Sequence, residues 1–582
     1  MINKLLKNNK ISKSNNSWIA LFLLLLFFLS VSYCSWITNI CTVWELPDEY
    51  GYLANAEYFS LKKWVPVTTS YYGFGYSLLL VPLFHIFGHG VNVIKGAIFI
   101  NTICVLIAYF LITRLAIKLY PRLSKVSIVF IAFTLSIFPG LFANSFKVFS
   151  ESLLYLLIWL IWNIFYDCIH ENKTIKYILL ALVLSWSFFV HTRSIAIIVT
   201  MGMLLFLLIF TKDKRLNVKN IIICIFSLIL FVILGYCVKQ ELLSEVYTLP
   251  LVENGSKNAT YVNTINGNWI IERIKWFFSE DFFYYLISLC CKMFYLGVST
   301  CGIAYISIII GIRKLYKIIK YKEIGDDSNF IESGFFISFA VMIVAVLFAG
   351  AGMLDNVSFF FYGRYYEYLV PELVLMGLAS FITNKEMKNV LNIVPLVWLF
   401  SVIGSISLTK FITNNRFVLD TNRIAGFSLI TNEYNNYSDA IIRLYCLGTL
   451  LLILVIIISR IKHKEIVLIP LMLFFALSNN MNIKTIVDNN NVSSRDNEII
   501  YYLEEECNYK DIYFLKTEYK YDYGFTRLIA LIDSANVIII NEDDIETIPD
   551  GVLFIGYNDL LSQTDLNCEM IATGGFFGLY QR

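Results

Sequence analysis

Residues 18–58 read WIALFLLLLFFLSVSYCSWITNICTVWELPDEYGYLANAEY. The first half is an apolar run of about twenty residues, long enough to cross a bilayer's hydrocarbon core as a helix. The second half carries Glu45, Asp48, Glu49 and Glu57 and cannot enter that core. This junction sets the fold class, because it is a membrane helix that delivers an acidic segment to one face. Lys4, Lys7, Lys10 and Lys13 precede the run, as in a signal peptide. The run is long, however, and no small-x-small cleavage site follows it, so it is read as a retained first span.

The same pattern continues along the chain. Of 582 residues, 58% are hydrophobic and 15% charged, against roughly 25% charged in a soluble chain. The excess comes in long continuous blocks, which excludes a soluble enzyme, a disordered chain, a disulfide-stapled module and an alternating outer-membrane barrel. Thirteen spans are expected, near 18–40, 93–113, 126–142, 150–167, 177–190, 194–211, 219–238, 283–312, 332–352, 365–383, 390–408, 440–459 and 465–483. The net charge of +2 gives no reason to expect nucleic-acid binding. The 12 cysteines lie mostly in apolar runs and show no metal-ligand spacing.

Positive charge orients these spans. With the N-terminus inside, short cytoplasmic connectors hold 24 of the 46 Lys and Arg residues. The clusters include Arg114, Lys118, Arg122 and Lys125; Lys173 and Lys176; and Arg313, Lys314, Lys317, Lys320 and Lys322. An odd span count puts the C-terminus outside. The expected plan is therefore an all-α polytopic membrane protein, N-in and C-out, with a small extracytoplasmic α/β domain. Residues 1–17 form the cytoplasmic N-terminus and 18–483 the transmembrane domain, with outer loops 41–92, 239–281 and 409–439. Residues 484–582 form the outer domain. Its stretch from Asp488 to Arg582 has 18 acidic and 6 basic residues, a net of −12. There DIYFLK, NVIIIN and GVLFIG read as buried strands, FTRLIALIDS as a helix, and Ser493 or Ser494 as the cap of a helix reaching Glu506. Cys507 and Cys568 are within this piece, either paired or as two thiols.

Chemistry collects at the outer ends of spans. Asp48 and Glu49 follow Pro47, which fixes the local turn. Two adjacent carboxylates at an interface suit a general base and its partner, or a shared metal. FKVFSESLLYLL puts Lys147 one turn before Glu151; FFVHTRSIAII puts His191 and Arg193 in an otherwise apolar stretch. FYGRYYEYLVPELVLMG puts Arg364, Tyr365 and Glu367 at a span start, with Glu372 inside it. Ionisable groups at such depth face a cavity or pair with each other. Arg193 and Arg364 offer bidentate forks to a phosphate, and Lys62, Lys63 and Lys147 add point charges. TTSYYGFGYSLLLVPLFHIFGHG, short of a full span and rich in aromatics, suits the interface as a groove wall for a lipid tail or as a packing element.

These motifs resemble the GT-C superfamily of membrane glycosyltransferases, of the aminoarabinose transferase and protein O-mannosyltransferase type. PDEYGYLANA resembles the family's Asp-Glu motif, and GFGYSLLLVPLFHIFG the interfacial segment that follows it. FSESLLYLL, HTRSIAIIV and GRYYEYLVPELVLMG resemble its later signatures. The resemblance implies a polyprenyl-phosphate sugar as donor and a glycan, lipid or protein as acceptor at the outer face of the cell membrane. It also implies a single inverting displacement. On this reading Asp48 is the base and Glu49 its partner, and Arg364, Arg193, Lys147, Lys62 and Lys63 hold the donor phosphate. Glu151, His191, Tyr365 and Glu367 support them. Some members of the family bind a divalent metal and others do not; Asp48 and Glu49 are the ligands if there is one.

Glu367 departs from the family pattern, and the spacing from Arg364 to Pro371 is longer than expected. The loop containing NGSKNATYVNTINGNWIIERIKWFF has no counterpart there. Two other readings stand beside the first. One is a lipid-linked polysaccharide polymerase or ligase, which would not need Asp48. The other is a lipid or solute transporter, for which internal repeats would be expected. Plentiful Asn, Ile and Lys suit an AT-rich bacterial genome.

Overall fold

The computed structural model describes residues 2–40, 42, 47–61, 72–210, 217–246, 275, 278, 282–322, 326–350, 360–383, 387–408, 423–430, 437–506, 511–516, 536–541, 548–558, 568–575 and 577–582. Lys62, Lys63, Cys507 and the expected helix FTRLIALIDS lie outside them, as does most of the loop 239–281.

The described residues are mostly helical up to a small C-terminal sheet. Helix α1 (Ile2–Ile37) leads to α2 (Pro47–Leu61), which carries the acidic pair, and α3 (Phe74–Phe87) is the short interfacial element. Then come α4 (Val91–Leu119), α5 (Lys125–Ser136), α6 (Pro139–Ser145), α7 (Glu151–Glu171), α8 (Thr174–Val190), α9 (Ile195–Phe210) and α10 (Val218–Glu245). The second half holds α11 (Phe282–Ser299), α12 (Ile303–Tyr321), α13 (Asp327–Gly350), α14 (Val370–Thr383), α15 (Met387–Leu391) and α16 (Val394–Ser407). The last helices are α17 (Tyr437–Ser459), α18 (Leu468–Ser493) and α19 (Asn497–Glu506).

Among the described residues ten helices are long and apolar enough to cross a membrane, or eleven if one bent pair is a single span. The expected thirteen exceed this for physical reasons. The stretch 126–142 is α5 and α6, bent by 55°. Pro139 opens α6 without an N–H and disfavours helical backbone at Phe138, so the helix cannot run through. The stretch 177–190 is the 17-residue α8, and 365–383 is a single 3₁₀ turn, Glu367–Leu369, followed by the 14-residue α14. The expected span 283–312 is divided at Cys301 and Gly302, both with positive φ, into α11 and α12. Gly302 adopts that backbone at no steric cost.

Helix α7 is the centre of the bundle, with 78% of its membrane-length window buried, against 11% for α1 and 17% for α10. Trp159 and Trp162 of α7 are fully buried, and α1 and α10 present Leu and Phe side chains outward as lipid-facing helices do. The strands are β1 (Asp511–Lys516), β2 (Asn536–Asn541), β3 (Leu553–Tyr557), β4 (Glu569–Thr573) and β5 (Phe577–Gln581), in the order β2-β1-β3-β5-β4. β1 pairs in parallel with β2 (Ile512 with Val537) and β3 (Tyr513 with Phe554), and β5 runs antiparallel to β3 and β4. All three expected strands are present. The two C-terminal strands were not foreseen, because EMIAT and FGLYQ alternate too weakly to stand out. Ser493 and Ser494 do not cap α19. Ser493 ends α18, the Ser494 hydroxyl donates back to the Asn491 carbonyl, and the helix starts at Asn497 after a 3₁₀ turn. Helix α18 thus runs through the expected boundary at 484. The sheet is tied to the turn after α18 where the Phe577 N–H donates to Asp496, and α18 is tied to the segment after α1 where the Asn490 side chain donates to the Thr42 carbonyl.

Candidate active site

Helix α2 begins at Pro47, so Asp48 and Glu49 lie in its first turn, where negative charge suits the exposed N–H groups. Adjacent helical residues point about 100° apart. The two carboxylates accordingly find different partners. Glu49 turns inward, 1% exposed, and its Oε1 accepts the Val148 N–H at 2.8 Å. Burial pushes its carboxyl up to about 8, against the pull of the Val148 hydrogen bond and the Lys147 charge. Asp48 turns towards Arg364, whose Nη2 donates to its Oδ2.

Four further segments converge on that ion pair. Glu151, the first residue of α7, accepts from Arg364 Nε at 2.6 Å and from Arg193 Nη2 at 2.9 Å through the same Oε1. Arg193 lies in the 3₁₀ turn Thr192–Ser194 that joins α8 to α9, and its Nη1 donates to the Arg364 carbonyl at 2.9 Å. His191 ends α8 and accepts the Arg193 N–H at Nδ1. Burial and the Arg193 charge hold its imidazole well below the usual range, so it is neutral. The Arg364 guanidinium covers the Phe149 ring at 4.0 Å, and Arg193 covers Tyr365 at 5.1 Å. Lys147, 1% exposed, has its ammonium 5.5 Å from the Phe149 ring, and its carbonyl accepts from Asn101 of α4 at 2.7 Å.

The structure therefore brings Asp48, Glu49, Lys147, Glu151, His191, Arg193, Arg364 and Tyr365 together at one end of the bundle. Glu367 lies one turn beyond Arg364, where its Oε1 accepts the Tyr295 hydroxyl. Glu372 is deeper, held by Trp162 and the Ser338 hydroxyl, and takes no part in the cluster. Sequence reading missed three residues: Tyr295, Lys292 and Tyr52, whose hydroxyl is 2.7 Å from Ser150 Oγ. A lysine within the apolar α11 was a visible signal; the tyrosines, among 37, were not.

Charge decides what this site attracts. Arg193 and Arg364 pair with Asp48 and Glu151, and the Lys147 ammonium, whose charge acts on Glu49, adds a further positive group to this end of the bundle. Arg193 has an internal acceptor for Nε, Nη1 and Nη2, whereas Nη1 of Arg364 donates to none of the described residues. Among the described residues no three His, Cys, Asp or Glu side chains are grouped to hold a metal. A cation at Asp48 would compete with the Arg364 guanidinium, and Glu49 is turned away with its Oε1 on the Val148 N–H, so these two carboxylates do not fit one.

A helical membrane bundle followed by a small C-terminal sheet is a fold that this chain shares with solved structures. Among solved structures, the chain is similar to ArnT, the aminoarabinose transferase, from Cupriavidus metallidurans bound to undecaprenyl phosphate. The TM-score is 0.53 at 12% identity, over 97% of this chain and 98% of that one. The apo form of the same protein matches with a TM-score of 0.51 at 11% identity, over the same shares. No protein-family model and no curated protein sequence matches the chain.

Proposed function

We propose that the chain is a glycosyltransferase that moves a sugar from a polyprenyl-phosphate carrier to an acceptor at the outer face of the membrane. The observation that carries this reading is the charge-balanced Asp48–Arg364–Glu151–Arg193 network at a bundle end, with the Lys147 ammonium beside it and an Arg364 Nη1 that donates to none of the described residues. The similar ArnT structure holds undecaprenyl phosphate, and a lipid-carried donor suits a face where nucleotide sugars are absent.

In this reading the donor phosphate docks on Nη1 of Arg364, with Lys147 adding charge, and Arg193 and Glu151 fix the guanidinium in place. An acceptor hydroxyl or amine attacks the anomeric carbon while Asp48 takes its proton. The carbon–oxygen bond to phosphate breaks, its electron pair leaves on the phosphate, and the configuration inverts. Neutralised phosphate is a good leaving group, so fixed positive charge supplies much of the rate. Asp48 adds roughly 10²–10⁴-fold as a positioned base. Glu49, held neutral beneath the Val148 amide, keeps the centre positive and anchors the helix that carries Asp48. Lys62 and Lys63 remain further candidates for the phosphate. The acceptor is a cell-envelope glycan, a lipid or a protein.

The test is release of free polyprenyl phosphate by purified protein given polyprenyl-phosphate sugars. Wild type is expected to release it; Asp48→Asn is expected to lose about 10³-fold or more in rate with its fold intact. Arg364→Ala is expected to lose donor binding first. No release with any sugar, while a lipid-linked oligosaccharide is consumed, would favour the polymerase.

A further inference from the structure

Arg364 sits in an irregular segment between α13 and α14, and irregular backbone does not hold an arginine in place unaided. Beyond the Glu151, Asp48 and Arg193 contacts of the arginine itself, polar ties from α11 hold the segment around it. The Lys292 ammonium donates to the Phe360 carbonyl at 3.0 Å, and the Tyr366 hydroxyl donates to the Lys292 carbonyl at 3.4 Å. One turn along α11, Tyr295 is fully buried and its single hydroxyl works in both directions. It donates to Glu367 Oε1 and accepts the Gly426 N–H at 2.9 Å. Gly426 belongs to the 3₁₀ turn Ala425–Phe427, three residues beyond Arg423. The Arg423 carbonyl in turn accepts the N–H groups of Gly363 (2.8 Å) and Arg364 (3.2 Å). The Arg364 turn and the 423–427 segment are thus locked to each other twice, once directly and once through Tyr295.

Two glycines make room for this ring. A Cβ at Gly363 would lie 2.3 Å from Tyr295 Cε1, and a Cβ at Gly426 2.9 Å from its hydroxyl oxygen. Both backbones touch the Tyr295 side chain, and no other residue type allows that spacing. Glu367, which departs from the family pattern, is the acceptor this arrangement needs.

We infer that Tyr295 and Glu367 are positioning residues for Arg364, and that through them the 423–427 segment sets the guanidinium's reach to the donor phosphate. This rests on the phosphate-binding reading of Arg364 given above. Misplacing a substrate-holding group by about 1 Å costs up to ~10²-fold, so loss of one of two locks is expected to cost about tenfold.

The experiment is binding of polyprenyl phosphate to the full-length protein in nanodiscs, with the unfolding temperature measured on the same samples. Tyr295→Phe keeps the ring between both glycines and removes only the bridge. It is expected to weaken binding about tenfold with a cooperative unfolding transition retained. Glu367→Ala removes the same bridge from the other side and is expected to match it. Glu367→Gln keeps an acceptor oxygen for the Tyr295 hydroxyl and is expected to bind as wild type does. If Arg364→Ala weakens binding while Tyr295→Phe and Glu367→Ala bind like wild type, the positioning role is overturned and the phosphate reading stands. A role in stability alone would lower the unfolding temperature and leave the dissociation constant of the folded fraction unchanged, which also overturns it. If wild type itself does not bind polyprenyl phosphate, the phosphate reading falls and this inference with it.

Discussion

Glu49 and Glu151 show how different partners divide labour between two buried carboxylates at one end of the bundle. Glu49 is buried with one backbone hydrogen bond and its carboxyl is raised to about 8. Below about pH 4.5 the folded and unfolded chains both hold that proton, and the group costs folding nothing. As pH rises towards 8 the unfolded chain releases it while the folded chain keeps it. Stability therefore falls by up to ~1.4 kcal/mol per pH unit, and levels off above. Glu49→Gln retains an acceptor for Val148 and removes the titration. The unfolding temperature of E49Q relative to wild type is expected to rise steadily from pH 5 to 8; a pH-independent difference would show that Glu49 is charged in place. Glu151 is the opposite case, since its Oε1 stands between two guanidiniums. Glu151→Ala leaves two buried positive charges facing one another and is expected to cost about 3–5 kcal/mol in thermal or denaturant unfolding. An alanine variant as stable as wild type would mean that water already screens the pair. Both carboxylates were visible as candidates in the sequence. Their opposite states were not, because each is set by a partner 42 to 213 positions away.

At the scale of elements, the acidic helix, the short aromatic helix and the starts of α7, α9 and α14 were all legible, because each is an apolar run that begins or ends on ionisable groups. The breaks were harder to read. A hydropathy window averages over Pro139 and Gly302, so a bent pair and a divided helix both look like one span. The Tyr295 bridge was invisible for another reason: it joins three segments through one hydroxyl, and nothing local marks it. GFGYS, by contrast, has a local explanation that sequence pattern alone did not supply. A Cβ on Gly75 would lie 2.7 Å from the Val190 nitrogen and 2.8 Å from the Phe189 carbonyl carbon. The Gly75 carbonyl also accepts from Trp186 Nε1 at 3.1 Å. Helix α3 therefore rests backbone to backbone on the end of α8, immediately before His191 and Arg193. Gly75→Ala must push the two helices apart, since backbone cannot swing aside as a side chain does. The expected result is a loss of about 1–3 kcal/mol in unfolding, with weaker polyprenyl-phosphate binding because the Arg193 turn moves too. Tolerance of alanine at Gly75 without either change would mean that α3 is held elsewhere.

For the molecule as a whole, the two ends of the bundle carry different chemistry. One end holds Asp48, Glu151, Arg193 and Arg364, and the tail is rooted beside it through Asn490 and the Thr42 carbonyl. The other end gathers Arg114, Lys118 and Lys176 around Asp167, and Lys314 with Tyr120 around Glu332. Helix α7 connects them, from Glu151 to Asp167, 16 residues or ~24 Å of rise, which is most of a hydrocarbon core. Arg114, Lys118 and Lys314, from the basic clusters used to orient the sequence, lie near the ends of their helices, and the two groups just named lie at the end away from Asp48. If positive charge marks the inside, the site and the tail of net charge −12 are outside. This orientation is what makes a lipid-carried donor necessary, so it is worth testing apart from activity. Asp550 in the tail and Lys320 near the end of α12 are both exposed. With a membrane-impermeant maleimide, Asp550→Cys is expected to label in intact cells and Lys320→Cys only after permeabilisation. Wild type, with Cys568 half-buried in the same tail, gives the background from which both signals are subtracted. The reverse pattern would put Asp48 and Arg364 on the side where nucleotide sugars are available. A polyprenyl-phosphate donor would then lose its rationale, even though the arginine network would still bind phosphate.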